Sequence, residues 1–152
     1  MKSTLFFLFW LISLKGFASN ADFKVSSCKE VDIGIETLMI PIEKNFKNFY
    51  SGDVQIYNVD VGEPAAKSHG LAIVMPFTEG QGPGVSCTAV TFFSGIDIRK
   101  AKSTFDSKGL LLTIPYSVYD HDSGVTKPST SSVKIRVNRA KGTVTLETQN
   151  SM

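Results

Sequence analysis

The chain has 152 residues, 16 of them basic and 14 acidic, and a formal net charge of +2. Residues 1–21 have the composition of a secretory signal peptide, because Lys2 precedes an apolar run over residues 5–14 and small residues follow as far as Ala21. That run is shorter than the roughly 20 apolar residues that span a membrane. The sequence therefore predicts export to the periplasm or the medium, cleavage after Ala21 or Ala18, and one mature domain over residues 22–152 that does not span a membrane. An uncleaved anchor is the alternative.

Removal of residues 1–21 leaves 14 basic and 14 acidic side chains, so the mature domain has no net charge. We therefore expect no nucleic-acid partner, since whole-molecule attraction to a polyanion needs an excess of basic residues. The charges are unevenly distributed, however. Residues 22–98 hold five basic and ten acidic side chains, whereas residues 99–152 hold nine basic and four acidic ones. If the two halves do not interleave completely, the domain has a positive side and a negative side.

The two cysteines, Cys28 and Cys87, both belong to the predicted mature domain. In an exported protein an even pair most simply forms one disulfide. Closing a loop of about 60 residues stabilises the fold by roughly 4 kcal/mol in the chain-entropy model. The alternative is lipidation of Cys28, since V-S-S-C loosely resembles a bacterial lipobox, although charged residues separate it from the apolar run.

Alternation of apolar and polar side chains is the main structural signal. Over residues 109–120 an apolar side chain recurs at every second position, and this period predicts a strand with one buried face. A hairpin turn over residues 106–109, at the start of this strand, would oppose Phe105 with Leu110, and a second hairpin would oppose Val137 with Val144. The pattern predicts further strands over residues 31–42, with a change of phase near Leu38, and over 53–61, 70–75, 85–93, 96–105, 133–138 and 143–147.

These segments predict an all-β fold of about eight antiparallel strands in a small sandwich or barrel. The segment over residues 70–75 is apolar on both faces, so we expect it at the centre of a sheet. At most one short helical turn is predicted, over residues 43–50. Residues 121–131 are polar and are expected to form a mobile loop.

A basic face is the strongest candidate binding site in the sequence. Strand periodicity directs several basic side chains away from the core, which gives a cationic surface suited to a lipid headgroup, a polyanion or an acidic protein. The alternative is an ordinary sheet exterior, in which lysines provide solubility and protect edges. The candidate residues are Arg99, Lys100, Lys102, Lys134 and Arg136.

The other motifs in the sequence give weaker evidence of a binding or catalytic site. The glycines of residues 80–84 precede a predicted strand rather than a helix, so they indicate a hairpin loop and not a phosphate site. The turn Asp120-His121-Asp122 is interpreted as a solvated turn, with a weak cation site as the alternative. No nucleophile has a neighbouring base and orienting acid. We therefore expect no catalytic residue, no cofactor and no metal.

The sequence thus predicts a non-catalytic exported β-domain that binds a protein or an envelope component. The alternative is a β-barrel of lipocalin-like architecture that holds a small apolar ligand. Fold alone does not choose between them.

Overall fold

The computed structural model of the chain describes residues 22–62, 65–78, 80 and 82–147. The predicted signal peptide lies outside the described residues. Within them the protein is built from strands and short 3₁₀ turns, with no α-helix. The strands are β1 Lys24–Ser27, β2 Phe46–Phe49, β3 Val54–Asp60, β4 His69–Pro76, β5 Val85–Phe93, β6 Gly95–Ile96, β7 Lys102–Asp106, β8 Gly109–Asp120, β9 Val125–Asn138 and β10 Thr143–Leu146. The 3₁₀ turns are Cys28–Val31, Ile35–Thr37, Ile42–Lys44, Tyr50–Gly52, Ala65–Lys67 and Ile98–Lys100.

The strands form two antiparallel sheets of five, as in a β-sandwich, which confirms the predicted all-β fold. The first sheet has the order β1-β5-β4-β3-β2. The second has the order β10-β9-β8-β6, and β7 also pairs with β8. Each half of the chain therefore makes one sheet. The strands up to β5 belong to the first sheet and those from β6 on belong to the second. The net charges of −5 over residues 22–98 and +5 over residues 99–152 describe the two halves of the chain and not the strands, since the strands of the first sheet carry only Lys24, Lys47 and Asp60.

The predicted strand over residues 109–120 is β8, with the predicted bounds. Both predicted hairpin registers are confirmed, because Phe105 lies opposite Leu110 and Val137 opposite Val144. The prediction of a central strand at residues 70–75 is confirmed as well, since β4 is the middle strand of the first sheet. Val118 is more exposed than its place in the apolar alternation predicts. It is 36% exposed, because β8 continues past the sandwich beyond a register shift between Pro115 and Ser117.

The space between the sheets is filled by apolar side chains, and Tyr116 and Phe93 close it at one end. Burial of this kind is the main source of stability in a domain of this size. The fully buried members from the first sheet are Val54, Ile56, Leu71, Ile73, Met75, Val90 and Phe93, and those from the second are Leu110, Leu112, Ile114, Ile135 and Val137.

The predicted strand over residues 31–42 is wrong. Residues 28–31 and 35–37 form 3₁₀ turns, and only Leu38 makes an isolated bridge, to Val59. A capping box between Ser27 and Glu30 starts the first turn, and Asp32 ends it in the left-handed conformation. Side chains at these positions therefore compete with strand pairing for the backbone groups.

This segment instead covers the outer face of the first sheet. The disulfide between Cys28 and Cys87 fastens it to β5, with the two Cα atoms 5.4 Å apart, so the predicted pairing is confirmed. Around the disulfide lies a second, smaller apolar cluster that includes Val59, Ala72 and Ala89. The first sheet is thereby buried on both faces, which explains why β4 is apolar on both sides.

Two further expectations are wrong. Residues 43–50 are not one helical turn, because a 3₁₀ turn ends at Lys44 and the strand β2 follows. The expected loop over residues 121–131 is limited to a turn at residues 121–124, after which β9 begins at Val125. Valine and threonine favour extended backbone even where every side chain is exposed, so polarity alone did not identify this strand.

Candidate functional site

The five predicted basic residues lie in two places. Lys102 and Lys134 flank Thr113 across β7, β8 and β9, so both lie on the outer face of the second sheet. Arg136 lies one row further along β9, opposite Leu111. Arg99 and Lys100 belong to a 3₁₀ turn between β6 and β7 rather than to a strand.

Arg136 is held between two carboxylates. Its Nε donates to Glu147 Oε1 at 2.8 Å, and its Nη1 donates to Asp106 Oδ1 at 2.9 Å. Nη1 also donates to the carbonyl oxygen of Gly109 at 3.2 Å. The hydrogen bond to Glu147 raises the pKa of Arg136 above its ordinary value, and the side chain is only 11% exposed. Arg136 therefore fastens β7 and β8 to β9 and adds little positive charge to the face.

The side chains of Arg99 and Lys100 both contact the carboxylate of Asp97. Arg99 donates from Nε to Asp97 Oδ1 at 2.9 Å and from Nη2 to Asp97 Oδ2 at 3.0 Å, a two-point contact typical of arginine. These hydrogen bonds hold the pKa of Asp97 below its ordinary value. Lys100 Nζ lies 3.7 Å from Asp97 Oδ2. From β2, Lys47 Nζ donates to the carbonyl oxygen of Ala101 at 2.9 Å and so joins the same turn.

A polar cleft of about 270 Å³ lies beside this turn, between the two sheets. At its base is Asn58, which is only 3% exposed. Asn45 Nδ2 donates to the carbonyl oxygen of Pro41, and Asn58 Nδ2 donates to Asn45 Oδ1 at 3.0 Å. The cleft is lined by Pro41, Lys44, Asn45, Asn58, Ile96, Asp97 and Arg99.

A second concavity, which we call the aromatic groove, has a volume of about 390 Å³ and lies at the end of the sandwich where β8 leaves the core. Phe23 packs edge to face against Tyr116, with ring centroids 4.9 Å apart. Tyr119 makes a similar contact with His121 at 5.1 Å. The groove is lined by Phe23, Ala66, Lys67, Phe92, Ser94, Tyr116, Ser117, Val118, Tyr119 and His121.

Phe92 has a left-handed backbone, with φ +76°. It is the extra residue of a β-bulge, because His69 pairs with Phe93 while Gly70 pairs with Thr91. Glycine is the usual residue at a left-handed bulge position, since a side chain there strains the backbone. The bulge directs Phe93 into the core and leaves Phe92 in the wall of the groove. Strain of this kind is retained most often at functional sites.

The ends of β8 and β9 form a two-stranded arm beside the groove. Val118 pairs with Lys127 and Asp120 with Val125, so these four side chains share one face. Asp120 forms an ion pair with Lys127, and that contact holds the pKa of Asp120 well below its usual range. Val118 and Val125 remain exposed. The turn predicted as a possible cation site thus already uses the Asp120 carboxylate.

Comparison of the chain with known proteins gives no guide to its function, since no family model, curated protein or solved structure matches it. Across the described ranges no helix is long and apolar enough to cross a membrane. Nor do three potential metal ligands converge anywhere in that part of the chain.

Several residues of these concavities were missed by sequence reasoning. Phe92 is one of two adjacent phenylalanines in a regular apolar run, and no signal in the sequence distinguishes the strained one from the buried one. Asn58 interrupts the apolar pattern of β3, which is a usable signal of a buried polar group. Lys44 lies in a segment with a wrongly predicted conformation, so its position beside Arg99 could not be inferred.

Proposed function

We propose that the protein is a non-catalytic exported domain that binds another protein through the aromatic groove and the adjoining arm. The observation that carries this proposal is the strained Phe92 in the wall of a groove lined by aromatic rings. Aromatic side chains that present both apolar surface and hydroxyl groups are enriched at binding interfaces. A volume of about 390 Å³ lies at the low end of the ~300–1,000 Å³ range of ligand pockets, so it suits one anchor side chain of a partner.

The arm favours a macromolecule over a small ligand. The core face of β8 continues past the sandwich as exposed apolar surface at Val118, and Val125 extends it across the arm. A small ligand would occupy the groove alone, whereas a protein would cover both the groove and the arm. The interior between the sheets is filled by side chains, so a small apolar ligand would bind outside the core. Native mass spectrometry of the purified protein tests that alternative.

Site-specific photo-crosslinking tests the proposal. A benzophenone amino acid is introduced at Val118 in the full chain expressed in its source cells, and at Ile35, which is 84% exposed, as the matched control. We expect one discrete adduct from position 118, none from position 35, and loss of the adduct when Tyr119→Asp is added. Absence of an adduct at position 118, or the same adduct from both positions, would contradict the proposal.

A further inference from the structure

The polar cleft is bordered by exposed apolar side chains. Pro41 lines the cleft, and the residues on either side of it, Ile40 and Ile42, are 83% and 45% exposed. These two aliphatic side chains give the rim of the cleft an exposed apolar surface. Ile40 and Ile42 follow the residues that cover the outer face of the first sheet, and neither packs against the two apolar clusters described above.

Positive charge surrounds the same cleft. Lys44 and Arg99 line it, and Lys100 extends from the adjacent turn with its side chain 72% exposed. The acids of these two segments are Asp97, which Arg99 already engages, and Glu43, which precedes Lys44. The rim therefore carries an excess of positive charge next to exposed isoleucines.

At the base of the cleft, one buried acceptor has no donor within the described part of the chain. Asn58 Oδ1 is buried and accepts no hydrogen bond within the described part of the chain. Its orientation is fixed, because Asn45 must present its amide nitrogen to the Pro41 carbonyl and hence its oxygen to Asn58 Nδ2. A buried acceptor without a donor costs stability, so this atom suits a ligand that carries a hydroxyl group.

We propose that this cleft and its rim bind the surface of a membrane that contains an anionic phospholipid with a hydroxylated headgroup. The phosphate lies against Lys44 and Arg99, a headgroup hydroxyl donates to Asn58 Oδ1, and Ile40 and Ile42 enter the interface. Apolar side chains ringed by basic ones match a lipid surface, which offers acyl chains beneath anionic headgroups. Binding to neither kind of vesicle would instead favour an acidic protein as the occupant of this surface. The cleft shares no lining residue with the aromatic groove, so the two proposals fail independently.

Vesicle binding by the processed protein tests this proposal. Sedimentation with vesicles of phosphatidylcholine and phosphatidylglycerol is compared with sedimentation with phosphatidylcholine alone. We expect binding only to the anionic vesicles. Lys44→Met should weaken it about fivefold, and Ile40→Ser about tenfold. Two control variants should leave the binding unchanged: Lys108→Met, in the exposed turn between β7 and β8, and Val85→Ser, at a 62% exposed position at the start of β5.

A spectroscopic measurement on the unchanged protein reports on Asn58 itself, since a substitution at this buried residue could prevent folding. Its side-chain amide NMR signals should shift on addition of short-chain phosphatidylglycerol and stay in place with short-chain phosphatidylcholine. Equal binding to both kinds of vesicle, or binding to neither, would overturn the proposal. So would binding of soluble glycerol 3-phosphate without binding to vesicles, which would indicate a free phosphate ester as the ligand.

Discussion

At the scale of single residues, Phe92 lies between the core and the aromatic groove. Its neighbour Phe93 is buried in the core, and Phe92 itself lines the groove. Left-handed backbone costs a non-glycine residue about 1–2 kcal/mol, whereas glycine in a regular strand is roughly 0.5–1 kcal/mol less stable than alanine. Phe92→Gly should therefore be about 1 kcal/mol more stable than Phe92→Ala, as measured by urea unfolding. At Thr88, in the regular part of the same strand, the order of the glycine and alanine variants should be reversed. Alanine variants that are the more stable at both positions would show that Phe92 is not strained.

Single residues also show what could and what could not be inferred from the sequence. The positions of Arg136 and Lys134 on β9 followed from a period of two, because the alternation fixes the face of each side chain. The ion pairs of Arg136 with Asp106 and Glu147 could not be inferred from the sequence. Neither acid lies next to Arg136 in the sequence, and both contacts depend on the pairing of the strands.

At the scale of elements, the arm of β8 and β9 carries an ion pair between Asp120 and Lys127 on a face that lies outside the core. Lys127 holds the pKa of Asp120 below its ordinary value of about 3.9, so the stabilisation is complete above that pH and is lost as the pH falls through the lower folded value. A carboxyl NMR titration should show that Asp120 in the native protein titrates below that ordinary value, and that Lys127→Met moves its pKa upwards. Lys134→Met, on the same strand, should not move it. Equal pKa values in the native protein and Lys127→Met would contradict this account.

Elements were predicted well where alternation and burial coincide. In β8 and in the last hairpin each apolar side chain faces the core, so the pattern in the sequence records the pattern of burial. Residues 31–36 alternate equally well and yet form 3₁₀ turns, because the capping side chains and the disulfide position them over a sheet that is already complete. Residues 125–131 form the start of β9 without an apolar pattern, since residues 125–128 pair with β8 outside the core and residues 129–131 lie at the register shift.

At the scale of the whole molecule, the chain folds as two sheets whose strands do not interleave along the sequence. The filled core leaves binding to the ends and outer faces of the sandwich, and the aromatic groove with its arm lies at one such end. Amide hydrogen exchange of the protein, with and without the envelope fraction of its source cells, tests this account most directly. Exchange should slow at residues 92–94 and 116–121 and stay constant at residues 85–88. Unchanged exchange at the groove, or protection confined to another surface, would contradict it.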